Sequence, residues 1–259
     1  MTGYLLAQQS APDLERTRLR LLEKYHDPLT TGQLDAIGVG KGWHCLDVGA
    51  GGGSVTRMLA ERVGATGSVL SVDLDTSLLK ELATDRVEVR RHDLMSDPLP
   101  EAAFDLVHAR LLLMFLTPRV GALQRLVSAM RPGGWIAAIE PDFSTVALSP
   151  TNLAWERTWS LCRDVMVAGA WDPYYGARLG SDLRTAGLRD IHTERITRCH
   201  PGGSLPSRLL SLTLERLRHP MVLLGADEFE LDTARRLLED PANTITSPTS
   251  CVARGRRPA

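Results

Sequence analysis

The chain has 259 residues, and 30 Lys and Arg stand against 31 Asp and Glu, so its formal charge at pH 7 is −1. Proteins dedicated to nucleic acid usually carry a basic excess that neutralises phosphates. Here basic residues cluster only in the short tail at Arg254, Arg256 and Arg257. We therefore expect no nucleic-acid partner. The length fits one large α/β domain, and 43% hydrophobic residues suffice for an ordinary core.

The sequence also argues against a membrane or secreted protein. Its longest apolar run, residues 111–116, falls far short of the roughly 20 residues that a spanning helix needs. The first 14 residues lack the basic start and continuous apolar stretch of a secretory signal. The four cysteines are scattered without the paired spacing of a zinc site or a disulfide framework. We expect a cytoplasmic protein.

The first 40 residues carry helical patterns. Leucines at helical spacing among charged residues predict a surface helix over residues 11–25. A second, short helix is predicted over residues 31–37, closed by Gly38 and Gly40. A compact apolar run at residues 43–48 then predicts a strand that ends in a glycine-rich loop.

Predicted strands and helices continue to alternate along the chain. Further strands are predicted at residues 68–72, 87–91, 104–108, 135–139, 190–197 and 246–254. Helices are predicted at residues 78–84, 117–130, 178–186, 207–218 and 227–238. Strands that alternate with helices indicate an α/β fold with a mainly parallel sheet covered on both faces.

After residue 141, an aromatic segment interrupts this alternation of strands and helices. It carries three of the five tryptophans, Trp155, Trp159 and Trp171, together with Tyr174 and Tyr175. In a chain with only 5% aromatic residues, such a cluster is typical of a helical insertion or lid over a ligand. The spacing of Trp155 and Trp159 fits one face of a core helix equally well. Both interpretations stay open.

The loop after the first strand carries the most informative pattern, Asp-x-Gly-x-Gly-x-Gly from Asp47 to Gly53. Glycines are needed where the chain turns sharply and where a ligand approaches bare backbone. Asp47 disfavours a dinucleotide, because a pyrophosphate gains nothing from a nearby anion. Ser54 also stands where the dinucleotide fingerprint has its third glycine. A ligand that joins adenosine to a positive charge suits this loop better.

Two further carboxylates follow the next two strands. Asp73 ends the second strand, where an acid can accept both ribose hydroxyls, although Asp75 is close enough to compete for that role. Asp93 follows the third strand, where it could accept a hydrogen bond from an adenine amino group. Ligands of open α/β sheets bind at the carboxyl edge, so three acids there predict a binding site.

These segments resemble motifs of the class I S-adenosylmethionine-dependent methyltransferases, in order, over residues 43–142. The matching segments are residues 46–53, 72–73, 92–94, 104–110 and 130–135. The resemblance implies a three-layer, Rossmann-like, seven-stranded sheet of order 3-2-1-4-5-7-6 whose last strand is antiparallel. It also implies one domain of residues 1–259, with a helical cap (1–40), a cofactor-binding core (41–140), a helical lid (141–187) and a C-terminal part (188–259).

The resemblance assigns cofactor contacts to matching positions. The residues concerned are Asp47, Gly49, Ala50, Gly51, Gly53, Ser54, Asp73, Leu74, Asp93, Leu94, His108 and Ala109. Arg110 could serve the cofactor carboxylate or a surface ion pair, and Tyr4 and Tyr25 could close over the cofactor.

Candidates for a general base are few. His108 follows the fourth strand and Asp142 the fifth, so both are predicted near the reacting atoms. Glu140 and Asp142 fit a solvated turn equally well. His26, His200 and His219 fall in segments predicted to be cap or periphery. Asp105, Glu140 and Asp142 do not assemble into a metal site, so no metal is expected.

The functional hypothesis is methyl transfer from S-adenosylmethionine to the oxygen, nitrogen or carbon of a small aromatic or polyketide-like metabolite. The sequence resembles the ubiquinone-biosynthesis and natural-product branch of the family. We allow for a homodimer, because a hydrophobic cap of this kind is often shared across a dimer. His108–Leu111 stands where amide and adenine methyltransferases carry an Asn/Asp-Pro-Pro-Tyr/Phe motif. One alternative keeps the cofactor as a scaffold for a cyclisation or rearrangement. Another, a nicotinamide oxidoreductase, is disfavoured by Asp47 and Ser54.

Overall fold

The computed structural model describes residues 12–259, and its first element is one long helix, α1, Pro12–Ile37. The sequence prediction of two separate helices is wrong, because the helix continues through Pro28. Proline removes one N–H from the helical hydrogen-bond ladder. The second half of α1 nevertheless buries Leu34 completely against the sheet. Packing of that face outweighs the local cost of the proline.

Ten strands follow in chain order. They are β1 (His44–Val48), β2 (Ser68–Asp73), β3 (Val87–Arg91), β4 (Phe104–Arg110), β5 (Met130–Asp142), β6 (Ala147–Ser149), β7 (Arg189–Ile196), β8 (Cys199–Pro201), β9 (Thr244–Thr246) and β10 (Thr249–Arg256). Seven of them form the main sheet in the order β3-β2-β1-β4-β5-β10-β7. β10 runs antiparallel to both of its neighbours. The predicted seven-stranded order and its reversed last strand are confirmed. β6, β9 and β8 form a separate small sheet.

Three predicted boundaries are wrong for local reasons. The predicted strand 246–254 is split between β9 and β10, because Pro248 has no N–H to donate to a ladder. The predicted helix 78–84 is only the 3-10 turn Lys80–Leu82, because the Thr84 hydroxyl accepts the amide of Val87 and starts the turn into β3. β5 begins at Met130, five residues earlier than predicted.

Helices cover both faces of the main sheet. Those after α1 are α2 (Ser54–Val63), α3 (Arg119–Ala129), α4 (Leu153–Ala168), α5 (Leu179–Thr185), α6 (Leu205–Arg216), α7 (Arg218–Leu223) and α8 (Glu228–Glu239). Leu34 of α1 and Leu59 of α2 belong to one buried cluster, whereas α3 to α8 contribute to another. In the described part of the chain, no helix is long and apolar enough to cross a bilayer.

The aromatic segment contains both core residues and a residue that lines the cavity. Trp155 and Trp159 in α4 are stacked with ring centroids 5.6 Å apart and are almost fully buried in the core. Trp171 lies after α4, where it lines the cavity described below. Trp155 and Trp159 therefore pack in the core, whereas Trp171, near the end of the segment, lies against the cavity.

Candidate functional site

A cavity of about 410 Å³ lies at the carboxyl ends of the parallel strands. Its floor comes from the loops after β1, β2, β3 and β4, and its cap comes from α1, α6 and the segment around Trp171. Such an edge is where open α/β sheets bind ligands, and the volume is in the range of small-molecule sites. Four loops and three cap segments, widely separated in sequence, therefore build one site.

The glycine loop presents bare backbone to this cavity. Gly49, Ala50, Gly51 and Gly52 all line it. Gly49 and Gly51 have φ of +70° and +56°, a region that side chains disfavour. A Cβ on Gly49 would also lie 3.2 Å from the Leu112 side chain. These glycines are required for the turn itself and for close approach of a ligand.

Gly53 and Ser54, both predicted as cofactor contacts, do not line the cavity. Gly53 has φ of +83°, and the side chains of Leu79 and Leu82 lie directly over its Cα. The Ser54 hydroxyl donates to Asp27 of α1 at 2.8 Å. The end of the glycine loop is thus covered by the protein itself.

Asp47 and His108 lie beneath the loop and away from the cavity. They are direct neighbours on β1 and β4, and their buried side chains meet, with 3.0 Å between His108 Nδ1 and Asp47 Oδ1. The other oxygen of Asp47 accepts a 2.7 Å hydrogen bond from the Thr56 hydroxyl of α2. Neither residue lines the cavity, and the cofactor contact of Asp47 and the catalytic role of His108 stay predictions. Ala109 is buried in β4 as well.

Asp73 lies where the sequence predicts it. Its carboxylate lines the cavity and accepts the Gly51 amide at 2.8 Å and the Asp75 amide at 3.1 Å. Burial is the main influence on its pKa and raises it, against the opposing effect of these hydrogen bonds. Asp75 is exposed and caps its own turn at Ser77, so the more buried Asp73 is the better placed of the two competitors.

Asp93 brings a third acid to this edge. Asp93 and Leu94 line the cavity next to Leu74, as predicted. The Asp93 carboxylate accepts the amide of Met95 at 2.9 Å, which fixes the turn after β3. Asp73, Asp75 and Asp93 therefore make the strand-end side of the cavity acidic, which suits a cationic ligand.

Asp142, the second predicted catalytic residue, does not line the cavity. One carboxylate oxygen accepts the Ser144 amide at 3.0 Å, and the other accepts a 2.8 Å hydrogen bond from Arg195. The side chain is buried and acts as the cap of a short turn. Both oxygens thus have structural partners, and the catalytic role of Asp142 stays a prediction.

Glu140 has a role that the sequence did not reveal. Its fully buried carboxylate accepts the amides of Leu112 at 3.0 Å, Leu113 at 2.7 Å and Met114 at 3.3 Å. Burial raises the pKa of Glu140 to about 7, while these hydrogen bonds oppose the shift. Leu112 and Met114 line the cavity. Glu140 therefore fixes the backbone of the cavity wall that Leu112 and Met114 form.

Helix α1 is hydrogen-bonded directly to the start of α2 and to the end of β4. Glu23 accepts the amide of Ser54 at 3.2 Å, and Asp27 accepts hydrogen bonds from Ser54 and from Arg110 at 2.9 Å. Arg110 also donates to the Thr30 hydroxyl at 3.0 Å and lines the cavity. The structure thus assigns Arg110 an ion pair with the cap, at a position that still faces the cavity.

Two of the α1 residues that line the cavity bear on the sequence predictions. Tyr25 lies there, as the sequence analysis allowed, whereas Tyr4 lies outside the described residues. His26, assigned by the sequence to the cap or periphery, also lines the cavity, and its Nδ1 is 3.0 Å from the Leu22 carbonyl. A carbonyl can only accept, so Nδ1 carries the proton. Burial lowers the pKa of His26 to about 4, and the ring is neutral near pH 7.

Helix α6 supplies residues that sequence reasoning missed. Leu209, Leu210, Thr213 and Arg216 line the cavity from one face of this helix. Their spacing follows the helical period, but it does not reveal which distant element that face covers. Arg216 lies with its guanidinium 5.6 Å from the ring centre of Trp171. The cap side of the cavity is therefore built by the C-terminal half as well as by the segment around Trp171.

The residues present fit a ligand that joins adenosine to a positive charge. The acidic strand ends, the open glycine backbone and the apolar cap supply the complementary surfaces in one cavity. Within residues 12–259, no three His, Cys, Asp or Glu side chains are grouped as a metal ion would need.

Comparison with known proteins gives the same family as these motifs. Residues 46–138 match the family model described as a methyltransferase domain. The chain is 25% identical over 198 residues to methyltransferase str2 of Strobilurus tenacellus, covering 75% of this chain and 70% of that protein. It is 32% identical over 128 residues to the ubiquinone/menaquinone biosynthesis C-methyltransferase UbiE of Pseudomonas savastanoi, covering 46% of this chain and 47% of UbiE.

Solved structures share the fold at low sequence identity. One is phosphoethanolamine N-methyltransferase 2 of Haemonchus contortus in complex with S-adenosyl-L-methionine, with a TM-score of 0.54 and 16% identity. The similarity covers 94% of this chain and 53% of that one. The chain also spans only about half the length of the UbiE relatives.

The buried carboxyl of Glu140 makes stability pH-dependent. Its folded-state pKa of about 7 exceeds its ordinary value of 4.5, so the native state keeps a proton that the unfolded state loses between these values. We predict that the free energy of unfolding, relative to Glu140→Gln, falls by roughly 2 kcal/mol as the pH rises from about 4.5 to about 7. Urea unfolding across this range measures it. The exposed Glu101→Gln is the control, and a pH-independent difference for Glu140→Gln contradicts the prediction.

Proposed function

We propose that this chain, which belongs to the class I S-adenosylmethionine-dependent methyltransferases, transfers a methyl group to a small metabolite with an apolar, aromatic or polyketide-like body. One observation carries the proposal: a single cavity joins an acidic, glycine-lined strand edge to an aromatic and aliphatic cap. The first surface suits a cationic adenosine cofactor, and the second suits an apolar acceptor.

The strand-end residues would hold the cofactor. S-Adenosylmethionine, when bound, supplies a methyl group on a positively charged sulfur. Asp73 would accept ribose hydroxyls, and two observations support this: it lines the cavity, and its oxygens are fixed by the Gly51 and Asp75 amides. Asp93 and Leu94 would border the adenine, and the backbone of Gly49 to Gly51 would approach the methionine part.

The cap would orient the acceptor and exclude water. Its apolar lining includes Phe115, Leu116, Phe143, Trp171, Pro206 and Leu210. Methyl transfer is an in-line displacement in which charge on sulfur is lost, so alignment in a dry, shaped pocket supplies much of the rate. The neutral ring of His26 offers Nε2 to a hydroxyl of the acceptor, since Nδ1 donates to Leu22. The name of UbiE, a ubiquinone/menaquinone biosynthesis C-methyltransferase, supports a small-molecule acceptor.

Because one fold can host several chemistries, product analysis must separate methyl transfer from a cofactor-scaffolded rearrangement. We predict that incubation with S-adenosylmethionine and a panel of phenols, naphthols and β-keto acids yields S-adenosylhomocysteine and methylated product in equal amounts. Mass spectrometry of both products measures this ratio. A product of unchanged mass, formed with the cofactor still methylated, would favour the rearrangement.

The carboxylate of Asp73 supplies a sharper test of the cofactor site. Asp73→Asn removes the charge but keeps an oxygen for the Gly51 amide, and we predict a loss of affinity for S-adenosylhomocysteine of about tenfold or more. Asp85→Asn is the control, because Asp85 is exposed and does not line the cavity, and it should change the affinity by less than about threefold. Titration calorimetry measures both. An equal loss in the two variants, or none in Asp73→Asn, contradicts the assignment.

A further inference from the structure

The cap brings one neutral basic nitrogen to the cavity. His26 is buried on α1, and its ring lines the cavity. Because Nδ1 donates to the Leu22 carbonyl, Nε2 is the atom of this ring that can accept a hydrogen bond. Within residues 12–259, Nε2 makes no hydrogen bond, and it is not sealed from solvent. A ligand in the cavity can therefore donate a hydrogen bond to it.

The ring of His26 is held in place by the protein alone. The hydrogen bond to Leu22 fixes its Nδ1 side, and the ring of Tyr25 packs edge-on against it with centroids 4.9 Å apart. Tyr25 in turn contacts the ring of His200, and its hydroxyl lies 3.4 Å from that of Ser247. A group fixed in this way loses little conformational entropy when a ligand binds, so Nε2 is preorganised as an acceptor.

His26 lies where the cap meets the glycine loop. On the same part of α1, Glu23 accepts the Ser54 amide, and Asp27 is paired with Arg110. Burial, and then the charge of Arg110, lowers the pKa of His26, so the ring stays neutral and its Nε2 keeps a lone pair. The same cation disfavours an ammonium group beside the ring, whereas a hydroxyl carries no charge.

Other proton acceptors that line the cavity are engaged or lie at the strand ends. Arg18 binds both oxygens of Glu15, and Glu23 accepts the Ser54 amide. The remaining ones follow β2 and β3, where the cofactor is proposed to bind: Asp73, Asp75, His92 and Asp93. His26 is therefore the cap residue best placed to take a proton from the second ligand.

We propose that His26 is the general base for methyl transfer to a hydroxyl oxygen, so that the acceptor is a phenol or an enol. As this oxygen forms its bond to the methyl carbon, the electron pair of the carbon–sulfur bond stays on sulfur, and the hydroxyl proton passes to Nε2. The products are a methyl ether, neutral S-adenosylhomocysteine and an imidazolium that returns its proton to water.

A weakly basic imidazole suffices for this step. The hydroxyl keeps its proton until the oxygen is alkylated, and the alkylated oxygen is then a far stronger acid than an imidazolium. Proton transfer to Nε2 is thus favourable in the transition state, where it accelerates the reaction. This inference rests on the proposed methyltransferase function, because it names the acceptor atom of the same cavity.

Binding tests the hydrogen bond without turnover. The probes are 2-naphthol and 2-methylnaphthalene, which differ in one group of similar size, titrated in the presence of saturating S-adenosylhomocysteine. Relative to the wild type, His26→Phe should shift the ratio of the two dissociation constants about fivefold toward 2-methylnaphthalene, because the hydroxyl loses its partner. His26→Gln keeps an oxygen acceptor and should retain most of the preference. An unchanged ratio in His26→Phe overturns the proposal.

Turnover separates proton transfer from hydrogen bonding. With 2-naphthol and S-adenosylmethionine, both His26→Gln and His26→Phe should lower kcat for 2-methoxynaphthalene by about 100-fold or more, because neither side chain can take the proton. Chromatography with mass spectrometry identifies the product. Methylation at carbon, no methyl ether from the wild type, or a wild-type kcat in His26→Gln overturns the proposal.

Controls separate this inference from the proposed function. His219→Phe alters an exposed histidine that does not line the cavity, and it should change neither the ratio nor kcat. S-Adenosylhomocysteine should bind the wild type and both His26 variants equally, which also verifies that the variants are folded. A wild type that does not bind S-adenosylhomocysteine would overturn the cofactor assignment, whereas intact cofactor binding with an unchanged probe ratio would overturn only the role of His26.

Discussion

Carboxylates that accept backbone amides hold the loops along the carboxyl edge of the sheet, and the site depends on these contacts. Asp73 fixes the glycine loop through the Gly51 amide. Asp93 fixes the turn after β3, and Glu140 fixes the turn after β4 through three amides. Each contact satisfies donors that would otherwise be left without partners where a strand ends. The cavity keeps its shape because these hydrogen bonds fix the loops that line it.

Carboxylates that accept hydrogen bonds also join the cap to the core. Glu23 of α1 accepts the Ser54 amide at the start of α2, and Asp27 links Ser54 to Arg110. The cap is therefore not an independent lid, since its helix supplies partners to the glycine loop itself. Asp73, Asp75 and Asp93 come to the cavity from strand ends, whereas α1 brings both arginines and glutamates to it.

The sequence predicted those parts of the site that depend on local pattern. The alternation of strands and helices, the glycine turn and the acids at the strand ends all follow from neighbouring residues. Asp47 and His108 could not be placed in this way, because their pairing depends on the register between β1 and β4, which are 61 residues apart in sequence. The cavity-lining face of α6 and the position of His26 depend in the same way on long-range packing. The continuous α1 reflects burial of Leu34, which outweighs the signal of Pro28.

A crystal structure with S-adenosylhomocysteine tests the central claim most directly, namely that acidic strand ends hold the cofactor and the apolar cap receives the acceptor. The account predicts ribose hydroxyls within hydrogen-bond distance of Asp73, with the adenine beside Leu94. It also predicts the sulfur facing the space beneath Trp171 and Arg216, with Asp47 and His108 still paired below the loop. A cofactor bound in the opposite orientation, with adenine under the cap, would contradict it.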